Sequence, residues 1–105
     1  MKQVMVQYKV KPDQTEKNEA LVRAVYDELQ RTEFAGLRYV TFKLDDGVTF
    51  VHLAVETGDG ERSLADVKAF QEFRKDLGER CEVAPVATGL SEVGSFRFFD
   101  EAMNE

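Results

Sequence analysis

The chain has 105 residues, of which 43% are hydrophobic and 32% are charged. This length and composition are typical of one globular domain and exclude a disordered chain, which would be poorer in apolar residues. The net charge of -6 disfavours nucleic acid and anionic membranes as partners, because the field of the protein repels both. No apolar run approaches the roughly 18 residues of a membrane span. The single cysteine, Cys81, favours a cytoplasmic location, where disulfides are rare.

The first part of the chain predicts a strand followed by a long helix. Apolar residues recur at every second position over residues 4–10, which is the period of a strand. Pro12 then interrupts that pattern. Apolar residues spaced three and four apart predict helix one over residues 13–32, with Asp13 and Glu16 as its capping pattern.

A hairpin and a second helix follow. Residues 37–44 and 48–56 are rich in β-forming residues, and Asp45-Asp46-Gly47 between them is typical of a tight turn. Ser63 with Asp66 predicts the start of helix two, and Gly78 its end. Because Pro85 and Gly89 interrupt the next segment, we expect strand four over residues 92–99 and an acidic tail over residues 100–105.

The order β-α-β-β-α-β predicts an α+β, ferredoxin-like domain over residues 1–99, with a four-stranded antiparallel sheet and two helices on one face. Strand three is apolar on both sides, with Phe50 and Ala54 on one and Val51, Leu53 and Val55 on the other. Each large aliphatic side chain left in water would forgo about 1.5 to 3 kcal/mol of burial. We therefore expect a homodimer in which two copies pack through their sheet faces.

This pattern resembles the antibiotic biosynthesis monooxygenase-like family of the dimeric α+β barrel superfamily. The resemblance covers nearly the whole chain and rests on the element order, Val10-Lys11-Pro12, the hairpin over residues 36–56, Phe70 with Phe73, and Val93-Gly94-Ser95-Phe96. It implies a dimeric α+β barrel. The superfamily is a shared scaffold for cofactor-free oxygenases, haem-degrading enzymes and isomerases, so the resemblance implies possible monooxygenase chemistry without naming a substrate.

The family's better-known catalytic sets use Trp, Asn and His over a substrate cavity, and this chain departs from them. It has no Trp and a single histidine, His52. Its two asparagines are Asn18, which we place on an exposed stretch of helix one, and Asn104 in the tail. No catalytic residue is therefore carried over from the family.

His52 is the most informative polar residue, because an imidazole within an apolar strand needs a hydrogen-bond partner or a wet cavity. If residues 45–47 form the whole loop of the hairpin, Val40 opposes His52, and Arg38 shares its face. This register predicts His52 and Arg38 as catalytic residues acting on an anionic or enolate-like ligand, with His52 as general base. The predicted substrate-binding residues are Tyr8, Tyr39, Phe42 and Phe50.

Other interpretations remain open. A turn at Asp46-Gly47 places Thr41 opposite His52 and weakens its pairing with Arg38. In either register the simpler interpretation of His52 is a histidine at the sheet interface that is satisfied by protein, and the simpler interpretation of the tyrosines is residues at the edge of the core. We expect Cys81 to be an unreactive thiol. The spacing of acidic residues predicts no metal site, the loop at residues 58–63 lacks a phosphate-binding pattern, and no cofactor is expected.

Two functions are compatible with these residues. The first is an enzyme that performs cofactor-free oxidation or proton transfer on a small aromatic or polyketide-like molecule. It predicts a closed cavity of several hundred Å³ reached by His52, Arg38, Tyr39 and Tyr8. The second is a non-catalytic protein of the same fold that binds a small ligand or acts through its dimer interface. It predicts a filled interior with His52 hydrogen-bonded to protein.

Overall fold

The computed structural model of the chain describes residues 2–57 and 63–98. It contains one antiparallel sheet with helices on one face. The strands and α-helices are β1 (Lys2–Val10), α1 (Thr15–Arg31), β2 (Leu37–Lys43), β3 (Thr49–Glu56), α2 (Lys68–Lys75), α3 (Leu77–Arg80) and β4 (Cys81–Gly89). The strand order is β2-β3-β1-β4. The ferredoxin-like fold predicted from the element order is confirmed.

The position of the fourth strand was predicted wrongly. β4 pairs with β1 over residues 81–89, whereas residues 92–98 form no strand. Pro85 lies where the register between β1 and β4 shifts, opposite the stretch between Gln7 and Lys9. An edge strand tolerates proline at such an irregularity, because no ladder hydrogen bond is required there. Residue 99, the tail over residues 100–105 and the loop over residues 58–62 lie outside the described residues.

The helix ends differ in detail from the predicted ones. A 3-10 turn at Pro12–Gln14 precedes α1, and no side chain caps either element, so the predicted cap at Asp13 is wrong. The capping box of Ser63 and Asp66 is present, but it begins a 3-10 turn ahead of α2. Gly78 lies within α3 and does not end a helix.

A single carboxylate connects α1 to the start of α2. The side chain of Glu28 on α1 accepts hydrogen bonds from the backbone amides of Lys68 and Ala69 at 3.1 and 3.0 Å. These amides belong to the first turn of α2, where no intrahelical acceptor exists, and the negative charge suits the positive end of the helix. Glu28 thereby holds the two helices in a defined relative position.

The core lies between the helices and one face of the sheet. It is built from large side chains of β1, β3, α1, α2 and α3: Tyr8, Val10, Val22, Val25, Phe50, Phe73 and Leu77. On the opposite face, which we call the bare face, Phe42, Val83 and Val86 are 49%, 53% and 60% exposed. In the described part of the chain no helix has the length and apolar character needed to cross a membrane.

We expect Glu28→Ala to lower the free energy of unfolding by about 0.5 to 2 kcal/mol, the usual effect of losing a helix N-terminal cap. Asp27→Ala is the matched control, because Asp27 is the exposed neighbour on the same helix. Urea denaturation of both variants measures the difference. Equal destabilisation by the two substitutions would contradict a capping role for Glu28.

Candidate functional site

A cavity of about 650 Å³ lies between the helix-covered face of the sheet and the segment that carries α2 and α3. Its walls include the rings of Tyr8, Tyr39, His52, Phe70 and Phe73. Charged side chains, Lys2, Glu56 and Arg74, also line it. Aromatic walls with a few convergent polar groups are typical of a small-molecule site. A cavity of the predicted size is therefore present and His52 lines it, but it is partly open to solvent, whereas the enzyme interpretation predicted a closed one.

His52 is hydrogen-bonded to protein on both ring nitrogens. Nε2 lies 2.8 Å from the hydroxyl oxygen of Tyr8, and Nδ1 lies 2.7 Å from that of Tyr39. The hydroxyl of Thr41 is a second neighbour of Nδ1 at 3.1 Å. The interpretation of His52 as a histidine satisfied by protein is thus correct for its nitrogens, and it holds together with the presence of a cavity.

The hairpin register separates two residues that we expected to act together. Thr41 opposes His52 and Arg38 opposes Val55, so the register with His52 opposite Val40 is wrong. Because successive side chains of a strand point to opposite faces, Arg38 lies on the bare face and His52 on the covered one. The prediction that Arg38 and His52 share a face is therefore wrong.

The physical reason lies in the loop between β2 and β3. The amide of Leu44 donates to the carbonyl of Thr49 at 2.8 Å, which leaves four residues in the loop. The Asp46 carboxylate accepts from the Thr49 hydroxyl at 2.5 Å and from the amides of Val48 and Thr49 at 2.9 and 2.8 Å. The hydroxyl first, and then the two amides, hold the pKa of this carboxyl below its usual range. Gly47 adopts a φ of +78°, which favours glycine. Together these contacts determine the register.

The four predicted substrate-binding residues divide into two pairs. Tyr8 and Tyr39 line the cavity and contact His52 from its two sides. Phe50 is buried in the core, where its ring stacks on Tyr8 at a centroid distance of 5.6 Å, and it does not line the cavity. Phe42 lies on the bare face, so its predicted place beside the ligand is wrong.

Two residues of the site were missed by the sequence analysis. Asn18, which we expected to be exposed, is fully buried, and its side-chain amide donates to the Tyr8 hydroxyl at 2.9 Å. Arg80 is 3% exposed; its Nε donates to Asn18 Oδ1 at 3.1 Å and its Nη2 to the carbonyl of Phe73 at 2.7 Å.

The helical period could have located Asn18, since it lies four and seven residues before Val22 and Val25 and therefore shares their buried face. Arg80 likewise follows Leu77 by three residues. For Asn18, the polar character of the side chain led away from the correct placement. The position of a residue along a helix determines which face it lies on, whether its side chain is polar or apolar. The spacing therefore predicted burial better than polarity did.

Burial keeps the imidazole of His52 and the hydroxyls of Tyr8 and Tyr39 uncharged. It lowers the pKa of His52 to about 4 and raises the pKa values of the Tyr8 and Tyr39 hydroxyls well above their usual range. Burial also raises the pKa of the Cys81 thiol, in keeping with the unreactive thiol we expected. At neutral pH the cavity therefore offers an uncharged imidazole and hydroxyl groups to a ligand.

No cluster of three or more His, Cys, Asp or Glu side chains suited to a metal ion occurs within the described ranges. The polar groups that meet at His52 are a ring and hydroxyls, which bind ligands through hydrogen bonds. With the aromatic walls, they suit a flat organic molecule that carries oxygen atoms. The absence of a cofactor remains a prediction.

The fold is shared with solved structures that are named as monooxygenases. A "putative antibiotic biosynthesis monooxygenase" from Nitrosomonas europaea superposes with a TM-score of 0.69 at 17% identity, covering 88% of this chain and 89% of that one. A protein of the same name from Caulobacter crescentus CB15 gives 0.68 at 20% identity, over 89% and 90%. A mutant of SnoaB, a cofactor-independent oxygenase from Streptomyces nogalater, gives 0.66 at 14% identity, over 91% and 96%.

In sequence comparisons, no family model and no curated protein matches the chain. The structural likeness therefore concerns the fold, which this chain shares with proteins named as antibiotic biosynthesis monooxygenases over about nine-tenths of its length. The resemblance inferred from the sequence is confirmed at that level.

The low pKa of His52 predicts a specific loss of stability in acid. The folded ring has a pKa of about 4, against 6.5 for the unfolded chain. The unfolded state therefore binds a proton first as the pH falls between these values, and stability falls with it. Over this interval the loss attributable to His52 is at most about 3 kcal/mol.

The measurement is the urea unfolding free energy of the wild type and of His52→Gln at several pH values from about 7 to about 4. Carboxylates titrate in both proteins, so the difference between the two curves isolates the histidine. The difference in unfolding free energy between the wild type and His52→Gln should narrow or reverse toward low pH. Only the wild type has a buried imidazole that loses stability when the unfolded state binds a proton. If the unfolding free energies of the two proteins change equally with pH, the result would contradict a buried, neutral His52.

Proposed function

We propose that the protein is a small cofactor-independent monooxygenase that binds a flat aromatic or polyketide-like molecule in the cavity beside Tyr39 and His52. The observation that carries the proposal is the 650 Å³ cavity, which is lined by aromatic residues together with the hydrogen-bonded pair Tyr39 and His52. The fold supports it, because the structural neighbours include a protein named as a cofactor-independent oxygenase.

Without a bound cofactor, the substrate itself must supply the electrons for oxygen. A CH₂ group activated by a neighbouring ring carbonyl loses a proton to solvent and becomes an enolate, since both nitrogens of His52, the predicted general base, are already bonded to hydroxyls. Its carbon bonds to O₂, the peroxide takes up a proton, and loss of water leaves a carbonyl. The balance is CH₂ plus O₂ to C=O plus H₂O, so one oxygen atom enters the product. The protein must hold the enolate, exclude water and stabilise the negative oxygen.

The residues of the cavity have distinct roles in this proposal. Both nitrogens of His52 are already bonded to hydroxyls, so the imidazole acts on the ligand through Tyr39 and is a positioning residue. Tyr39 lines the cavity, and in this proposal its hydroxyl contacts the oxygen of the substrate. Tyr8 and the rings of Phe70 and Phe73 supply flat apolar surface.

Oxygen uptake tests this function. The purified, chelator-treated protein is mixed with aromatic ketones that carry an activated CH₂ group, and oxygen consumption and the ketone product are followed. Tyr39→Phe should lower kcat/KM by roughly tenfold or more, because a hydrogen bond to a charged oxygen is lost. Tyr26→Phe is the matched control, since Tyr26 stacks on Tyr39 and bonds to Thr41 but does not line the cavity.

If the ketones bind but no oxygen is consumed, the protein is a non-catalytic ligand-binding member of the same fold. If neither binding nor uptake is seen, the cavity is not a substrate site. Equal effects of the two tyrosine substitutions would exclude Tyr39 as a direct contact.

The proposal includes a homodimer formed through the bare face. Phe42, Val83 and Val86 are about half exposed there, and the segment after β4 leaves Val93, Phe96 and Phe98 at 102%, 77% and 61% exposure. A second copy related by a two-fold axis would cover a matching surface on both chains at once, which makes it the simplest occupant. A cytoplasmic location stays a prediction.

Sedimentation velocity at micromolar concentration should give the mass of two chains for the wild type. Phe42→Asp should shift the protein toward a single chain, because it places a charge in the proposed interface without disturbing the core. Ala20→Asp, at an exposed position of α1, should leave the dimer intact. A wild type that sediments as a folded single chain would contradict the interface.

A further inference from the structure

We infer that in a buried row of hydrogen bonds each group donates to the next, from Arg80 to Asn18, from Asn18 to Tyr8 and from Tyr8 to His52. This direction of donation leaves the Tyr39 hydroxyl as a donor to an oxyanion in the cavity. The ligand would be a phenolate, an enolate or a similar molecule with a negatively charged oxygen. The choice of ligand rests on the proposed function. The direction of the hydrogen bonds rests on geometry alone.

The direction begins at Arg80, whose guanidinium can only donate. The atom of Asn18 that lies 3.1 Å from Arg80 Nε must therefore be the carbonyl oxygen Oδ1. This assignment leaves the NH₂ group of Asn18 facing the Tyr8 hydroxyl at 2.9 Å. Among the residues described, none forms a carboxylate ion pair with Arg80, so its charge is met by neutral acceptors and by the ring of Phe73 at 5.5 Å.

The Tyr8 hydroxyl donates to His52. Its hydroxyl oxygen accepts from Asn18, so its single hydrogen is free for the other partner, His52 Nε2 at 2.8 Å. Tyr8 is 1% exposed, and a hydroxyl hydrogen left unpaired at such a position would be unfavourable. Nε2 therefore accepts, and in the neutral ring the proton must lie on Nδ1.

The proton on Nδ1 determines whether Tyr39 offers a hydrogen-bond donor to a ligand in the cavity. Nδ1–H points to the oxygens of Tyr39 and Thr41 at 2.7 and 3.1 Å. The imidazole then takes no hydrogen from Tyr39, whose O–H can turn to an acceptor in the cavity. In the opposite tautomer, Nδ1 would take a hydrogen from the Tyr39 hydroxyl at 2.7 Å or from the Thr41 hydroxyl at 3.1 Å. Where the nearer hydroxyl donates, Tyr39 could present only a lone pair to the ligand.

The direction of the hydrogen bonds also makes the Tyr39 hydroxyl a stronger donor. Each hydrogen bond in a row polarises the next, and this row begins at a cation in a buried setting. Arg80 does not line the cavity, so it acts as a positioning residue for the polarity of Tyr39. The site is thereby selective for a ligand oxygen that accepts.

Asn18→Asp tests the direction, because it replaces the amide NH₂ by an acceptor of the same shape. One carboxylate oxygen keeps the bond to Arg80, and the other now accepts from Tyr8. The Tyr8 hydrogen leaves His52, Nε2 must become the donor, and Nδ1 must accept. Nitrogen-15 NMR distinguishes the two tautomers directly, and His52 is the single histidine of the chain.

The expected result is Nδ1–H in the wild type and Nε2–H in Asn18→Asp. Thr41→Val is the matched control on the other side of the ring and should keep Nδ1–H. Should Asn18→Asp not fold, Tyr8→Phe provides the second variant, in which the fraction of Nδ1–H should fall. Nε2–H in the wild type, or an unchanged tautomer in the folded variants, would overturn the inference.

The choice of ligand is tested with 4-nitrophenol, whose phenolate is visible by absorbance. The wild type should bind the phenolate about tenfold more tightly than the phenol, and Asn18→Asp should lose or reverse this preference. A wild type that prefers the neutral phenol, or binds neither form, would overturn the choice of ligand. The tautomer and phenolate readouts need no turnover, so absence of oxygen uptake alone would contradict the monooxygenase proposal and not this one.

Discussion

The requirement that buried polar atoms be hydrogen-bonded governs the centre of this protein. A histidine, an asparagine and an arginine are all at most 4% exposed in a small core. Within the described part of the chain, no buried side-chain nitrogen or oxygen lacks a partner. Leaving any one of them unpaired would cost about 1 to 3 kcal/mol, a large share of the stability of a domain of this size. The three residues must therefore be satisfied together, and Tyr8 connects them.

This constraint links the helices to the sheet. Asn18 lies on α1, Arg80 at the end of α3, Tyr8 on β1 and His52 on β3, so the hydrogen bonds join elements that are distant in sequence. The register of the hairpin extends the network to β2, because it brings Tyr39 and Thr41 onto the face of His52. The cavity lies beside this polar cluster, and the apolar bare face lies on the other side of the same sheet. One sheet thus separates the proposed ligand site from the proposed subunit interface.

Much of the fold was predictable from local patterns, and the site only in part. The two-residue period located β1, and the hairpin of β2 and β3 followed from its β-forming residues and the turn between them. β4 was misplaced because Phe96 and Phe98 made residues 92–99 the more strand-like segment, whereas the true strand has little burial contrast and contains Pro85. His52, Tyr8 and Tyr39 were predicted to share a site, and the structure brings them together. Arg38 and Phe42 were assigned to it through a one-residue error in register.

The sequence by itself determined the order of elements, the helix-covered sheet and the unusual position of His52, since these depend on local periodicity and on the cost of burying polar groups. Tertiary structure alone decided which residues satisfy His52. A shift of one residue between β2 and β3 exchanges the two faces of a strand. The turn residues Asp45-Asp46-Gly47 suit loops of more than one length, so the register became known only from the contacts of Asp46 in the structure. The partnership of Asn18 and Arg80, 62 residues apart, likewise exists only when α1 and α3 are packed against the same strand.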